Sequence, residues 1–224
     1  MNTEFMKLPF WFLYTRATHR MSEDKVKEGY NREAGKYIYE INNIYHKQAL
    51  MRFKQYKEVL SRYNFNSLLD VGAGEFTTIS YLAKKFGKNK RYAGLELANK
   101  KVELGKEYCK KNGVKVEAYT GTATKLPFKD NEFDIVMTSH CLEQMPFTYK
   151  KAIDEMLRVT NKVLILFEPS AKYGSFYQKY RMFCLNYALG ISNYLKYDDI
   201  YGLDIKDSNR TFVHIFEKQM NIGA

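Results

Sequence analysis

Leu68-Leu69-Asp70-Val71-Gly72-Ala73-Gly74-Glu75-Phe76 is the stretch that decides the fold. Two apolar residues run into an acid, then into two glycines one residue apart, and then into a helix-compatible segment. That order predicts a buried strand ending in a tight turn, where the backbone comes close to a ligand. A dinucleotide-binding turn carries G-x-G-x-x-G, its third glycine letting the helix pack on the strand. Thr77 stands in that third place, which argues against a nicotinamide cofactor.

Four further segments follow in order. Arg91-Tyr-Ala-Gly-Leu-Glu-Leu97 is strand-like and ends at Glu96, 24 residues after Gly72. In open α/β sheets an acid near that spacing accepts hydrogen bonds from ribose hydroxyls. Val114–Tyr119 leads into Gly121-Thr-Ala-Thr-Lys-Leu-Pro-Phe128, Phe133-Asp-Ile-Val-Met-Thr-Ser-His-Cys-Leu-Glu-Gln-Met-Pro146 comes next, and Lys162-Val-Leu-Ile-Leu-Phe-Glu-Pro169 closes the series. The D-x-G-x-G of residues 70–74 resembles motif I of the class I S-adenosylmethionine (SAM) methyltransferases. The segments at 121–128 and 133–146 resemble the G-D-A-x-x-L-P-F and F-D-x-V-x-x-x-x-x-L-E-H-x-P signatures of the UbiE-like, type 11 group. The resemblance covers roughly residues 65–170, with all five segments in register.

It implies a Rossmann-like, doubly wound α/β fold with seven strands, mostly parallel, and an antiparallel edge strand. It also implies SAM as cofactor and S-adenosyl-L-homocysteine as product. Asp70, Gly72, Ala73, Gly74, Glu96, Leu97, Thr122, Ala123 and Ser139 are the cofactor positions. Gly72 and Gly74 let the turn lie against the methionine part, and the helix starting near Phe76 is expected to aim free N–H groups at the cofactor carboxylate. Asp70 takes the amino group, and Glu96, with two acceptor oxygens, takes both ribose hydroxyls. Thr122 stands where the family has an aspartate that accepts from the adenine amino group; Ala123 offers its backbone N–H to the ring. Two positions depart from the family: Phe76 replaces a glycine, making the turn less permissive, and Thr160-Asn161-Lys162 replaces a proline-glycine-glycine turn.

At 224 residues, with 45% hydrophobic and 16% aromatic residues, the chain is globular and large enough for a substantial core. Alternating strands and helices from residue 65 predict a parallel sheet, with helices over 76–86, 99–112 and 149–159. Thr211–Glu217 alternates like an edge strand, with Tyr201–Ile205 as its antiparallel partner, and Ser175–Leu189 reads as a helix. Residues 1–64 read as a helical extension, or lid, on a core spanning 65–224. Within the extension one long amphipathic helix runs over 36–63, after a mobile charged connection from Ser22 to Arg32. Three cysteines without a C-x-x-C pair suggest neither a disulfide framework nor a metal site, and a cytoplasmic location follows. No apolar run reaches the length of about 18 residues that a bilayer requires.

The acceptor is read from fewer signals. His140 and Glu143, just past the fourth strand, are the catalytic candidates, His140 as a base for a hydroxyl or amine. Tyr45, His46, Tyr173 and Tyr177 are candidate substrate contacts. A net charge of +11 sits mainly on lysine-rich helix faces and points to a small polar, anionic acceptor, a sugar or phosphate compound methylated on oxygen or nitrogen in a tailoring pathway. RNA methylation is the rival reading, although Ser139-His-Cys-Leu142 replaces the [N/D]-P-P-[Y/F] of base N-methylation. A SAM-binding partner without turnover is another, and a lipid-directed enzyme anchored by Leu8–Tyr14 a third. Cys141 reads as a small packed residue and not as a nucleophile.

Overall fold

Strands of the central segment are apolar on both faces, as a sheet covered by helices on both sides requires. The computed structural model describes residues 23–43, 46–145, 148–169, 196–197, 201–203 and 211–218. Helices α1 (Glu23–Arg32), α2 (Lys36–Asn43) and α3 (His46–Leu60) come first. They are followed by β1 (Ser67–Val71), α4 (Thr77–Phe86), β2 (Arg91–Glu96), α5 (Asn99–Lys111) and β3 (Glu117–Thr120). After β4 (Phe133–Ser139), a 3-10 turn at Leu142–Gln144 and α6 (Tyr149–Val159) lead into β5 (Thr160–Pro169). Three shorter or terminal strands complete the sheet: β6 (Lys196–Tyr197), β7 (Tyr201–Leu203) and β8 (Thr211–Glu217).

The sheet order is β3-β2-β1-β4-β5-β8, with β6 and β7 both paired to β8. The first five strands are parallel and β8 runs antiparallel to β5. The order reverses between β1 and β4, and such a switch point opens a crevice at the carboxyl ends of the strands. Period-two alternation splits each strand between two cores. Leu69, Val136, Leu164 and Leu166 pack with Ile153 and Met156 of α6 on one face. Leu68, Ile135, Ile165 and Phe167 pack with Ile79 and Leu82 of α4, Val102 of α5 and Val59 of α3 on the other. Each such side chain contributes about 1.5–3 kcal/mol by leaving water.

Several expectations are corrected. Among the described residues the sheet holds eight strands and not the expected seven, because two short segments, β6 and β7, both pair with β8. Residues 23–32 form a helix and not a loose connection; its acidic first turn and basic last turn suit the helix dipole. The single helix predicted over 36–63 is two helices, α2 and α3. The antiparallel partner of β8 is found at Tyr201–Leu203. Leu8–Tyr14 and Ser175–Leu189 lie outside the described residues. Among the described residues no helix is long and apolar enough to cross a membrane.

Candidate active site

The turn between β1 and α4 is built around two positive-φ glycines, Gly72 (φ 77°) and Gly74 (φ 56°). A side chain at 72 would bring Cβ within 2.5 Å of the Cys141 sulfur, so Gly72 is required by backbone and neighbour alike. The turn's own N–H groups are used internally. Those of Gly72 and Ala73 donate to the Leu95 carbonyl at 2.8 and 3.0 Å, and that of Phe76 donates to the Ala73 carbonyl at 2.9 Å. The Gly74 N–H donates to Glu96 Oε2 at 3.0 Å. The N–H groups at these four positions are therefore not free to face a ligand carboxylate, whereas Thr78, in the first turn of α4, lines the cavity.

Phe76 occupies the family's glycine position in a left-handed conformation, φ 59°, and is fully buried. Its ring fills space left by two other glycines: a Cβ at Gly94 or Gly105 would lie 2.3 or 2.1 Å from ring atoms. The missing glycine is compensated across β2 and α5, and the strain of the left-handed residue is offset by a buried aromatic.

A cavity of about 460 Å³ opens above this turn, lined by all of the expected cofactor positions, Asp70, Gly72, Ala73, Gly74, Glu96, Leu97, Thr122, Ala123 and Ser139. That volume suits a nucleoside-sized ligand. Glu96 is held by two backbone donors, Gly74 N–H and Ala98 N–H, the latter at 3.0 Å to Oε1. Each oxygen keeps a second lone pair, as a vicinal diol would need. Asp70 is buried, its Oδ1 has no hydrogen-bond partner, and burial followed by the Glu96 charge pushes its pKa up to about 7. Two acids on one wall, one with an unpartnered oxygen, fit a ligand that brings both a cation and hydroxyls.

At the end of β4, His140 lines the cavity in a left-handed conformation, φ 54°, with its N–H donating to the Phe167 carbonyl at 2.9 Å. The following loop is held from β5: the fully buried Glu168 accepts from the Cys141 and Leu142 N–H groups, both at 3.0 Å. Burial pushes the Cys141 thiol well above its ordinary range, which suits packing and not nucleophilic attack. Ser139 shares a 2.9 Å hydrogen bond with the hydroxyl of Tyr56, whose ring lies 4.0 Å from that of Phe167. Glu143 lies in the 3-10 turn and its side chain is outside the described residues, as are Tyr45, Tyr173 and Tyr177. His46 is exposed at the first turn of α3 and does not line the cavity. Phe53 of the same helix does, two turns or about 10 Å further along the axis.

The helices before residue 65 contribute what the motifs did not signal. Glu23 of α1 accepts from the Thr122 hydroxyl at 3.0 Å, so an acid stands beside the threonine that replaces the family's aspartate. Asn31 accepts from the Lys100 N–H at 3.1 Å, and Lys101 lies 4.5 Å over the Tyr30 ring. Tyr37, Arg52 and Tyr56 line the cavity from α2 and α3. Glu75 binds the start of α2 through Gly35 and Ile38. Tyr56 and Phe53 were visible only as part of an apolar helix stripe; Tyr37, Arg52 and Glu75 carried no signal.

Residues 68–162 match a family described as "Methyltransferase domain". A norajmaline N-methyltransferase of Rauvolfia serpentina is 35% identical over 95 residues, which is 42% of this chain and 32% of the relative. A demethylmenaquinone methyltransferase of Geobacillus stearothermophilus is 32% identical over 108 residues, 46% of each protein. The chain thus spans less than half the length of these curated relatives. A SAM-dependent methyltransferase structure from Aquifex aeolicus superposes with a TM-score of 0.61 at 19% identity, covering 72% of this chain and 88% of the other.

Proposed function

We propose that this chain, whose residues 68–162 form a methyltransferase domain of the class I SAM-dependent type, methylates an oxygen or nitrogen atom of a small polar molecule. The observation that carries the reading is the Asp70–Glu96 wall above the Gly72–Gly74 turn, with a buried oxygen of Asp70 left for a cationic group. When bound, SAM supplies an electrophilic methyl group on a sulfonium. Glu96 would hold the ribose hydroxyls and Asp70 the amino group. Ala123 would meet the adenine, with Thr122 and Glu23 beside it. The N-terminal helices would act as a lid that excludes water.

The transfer is an in-line displacement, so alignment is the main contribution of the protein. His140, which lines the cavity at the carboxyl end of β4, would take a proton from a hydroxyl or amine. The N-methyltransferase name of one relative supports a nitrogen acceptor. The excess of lysine adds the expectation of an anionic acceptor, although Lys84, Lys85, Lys106 and Lys110 are solvent-exposed helix residues.

Calorimetric titration with SAM and S-adenosyl-L-homocysteine tests the reading, with Glu96→Ala as the control. Binding of both ligands, weakened at least tenfold in the variant (roughly one ribose-gripping carboxylate), is expected. No binding by the intact protein would overturn it. Acceptor screening then follows, where His140→Ala should lower kcat without weakening cofactor binding. Turnover on RNA and on no small molecule would favour the nucleic-acid alternative.

A further inference from the structure

A zwitterionic amino-acid end on the cofactor needs a partner for its carboxylate, and the N–H groups of the glycine turn itself are not free to provide one. The N–H groups of Gly72, Ala73, Gly74 and Phe76 are all committed to protein acceptors. The cavity does contain a guanidinium. Arg52 of α3 lines it together with Tyr37, Tyr56 and Asp70, and its buried Nε has no hydrogen-bond partner. Among the described residues Arg52 forms no ion pair. A buried guanidinium N–H without an acceptor is costly in a folded protein and is the natural donor to a carboxylate.

Resting on the cofactor reading above, we infer that Arg52, with Tyr37, binds the methionine carboxylate of the cofactor while Asp70 binds its ammonium group. The two orphaned atoms have the opposite chemistry that an α-amino acid presents: an acceptor at Asp70 Oδ1 and a donor at Arg52 Nε. Tyr37 lines the same cavity as both. The helical extension therefore supplies half of the amino-acid clamp, and the core supplies the other half. Cofactor affinity depends on α3 being docked.

The test compares S-adenosyl-L-homocysteine with 5′-methylthioadenosine, which keeps the nucleoside and sulfur but lacks the amino acid. Both are titrated calorimetrically into wild type, Arg52→Ala and Arg52→Lys, with thermal melts of each protein. Arg52→Ala is expected to weaken S-adenosyl-L-homocysteine by about tenfold or more while 5′-methylthioadenosine changes less than about twofold. Arg52→Lys should recover part of the loss, as a point charge replaces a fork. An equal loss for both ligands would overturn the inference, since it would mean a misplaced helix and not a lost carboxylate contact. So would unchanged S-adenosyl-L-homocysteine affinity in Arg52→Ala, a result that leaves the cofactor reading intact. Absence of binding by wild type would instead overturn the cofactor reading, and the inference with it.

Discussion

Glu75 reaches from the glycine turn to cap a helix that begins some forty residues earlier: one carboxylate oxygen accepts from the Ile38 N–H at 2.7 Å and the other from the Gly35 N–H at 2.8 Å. The first backbone N–H groups of a helix lack partners within it, and a carboxylate there also complements the helix dipole. Glu75 is fully buried, so the contact ties α2 to the loop that forms the cavity floor. Glu75→Ala should cost about 2–3 kcal/mol. Hydrogen exchange in residues 35–43 should accelerate while β1 stays protected, and Glu75→Gln should cost less. Equal acceleration in β1 would mean that Glu75 supports the whole core instead.

Gly72→Ala meets two obstacles, the positive φ and a Cβ placed 2.5 Å from the Cys141 sulfur. The strain alone is about 1–3 kcal/mol. Combining the change with Cys141→Gly should recover the part due to contact and leave the part due to φ. Urea unfolding of the two single variants and the double variant separates these. Full recovery in the double variant would show that φ adds nothing.

At Phe76 the usual ranking of substitutions should invert. Truncation to alanine leaves a cavity, about 3–5 kcal/mol, and keeps the left-handed backbone of φ 59°. Glycine leaves the same cavity but relieves that conformation, so Phe76→Gly should be more stable than Phe76→Ala by about 1 kcal/mol. Chemical denaturation of both decides it. Gly105→Ala should destabilise as well, because its Cβ would fall 2.1 Å from the ring.

Asp70 predicts a pH dependence whose sign follows from its raised pKa. Between the ordinary 3.8 and about 7, the folded protein holds a proton that the unfolded chain has released. Stability contributed by this group therefore falls as pH rises through that window and stays low above it. Asp70→Asn should flatten the slope between about pH 4 and 7 and raise stability above that window. Cofactor affinity should behave oppositely: an ammonium ligand prefers the ionised carboxylate, so binding strengthens toward about pH 8 in wild type and loses that trend in the variant. Denaturation and calorimetry at matched pH values check both.

The alternation of strands and helices from Leu68 to Pro169 and the edge strand at Thr211–Glu217 were legible because they depend on local periodicity and turn residues. So were the acids at 70 and 96, because the chain presents them at fixed distances from the glycines, at the ends of strands whose order the βαβ pattern dictates. What the sequence could not decide were relations between residues far apart. These are the Glu75 cap on α2, the Phe76 ring between Gly94 and Gly105, Glu23 beside Thr122, and Arg52 and Tyr37 lining the same cavity as Asp70. The same holds for His46, which shares helix α3 with Phe53 but is exposed two turns away and stays outside the cavity. Periodicity names the buried face of a helix, but only the docking of that helix on the sheet determines which of its residues meets the ligand, and docking depends on non-local packing that no local pattern encodes.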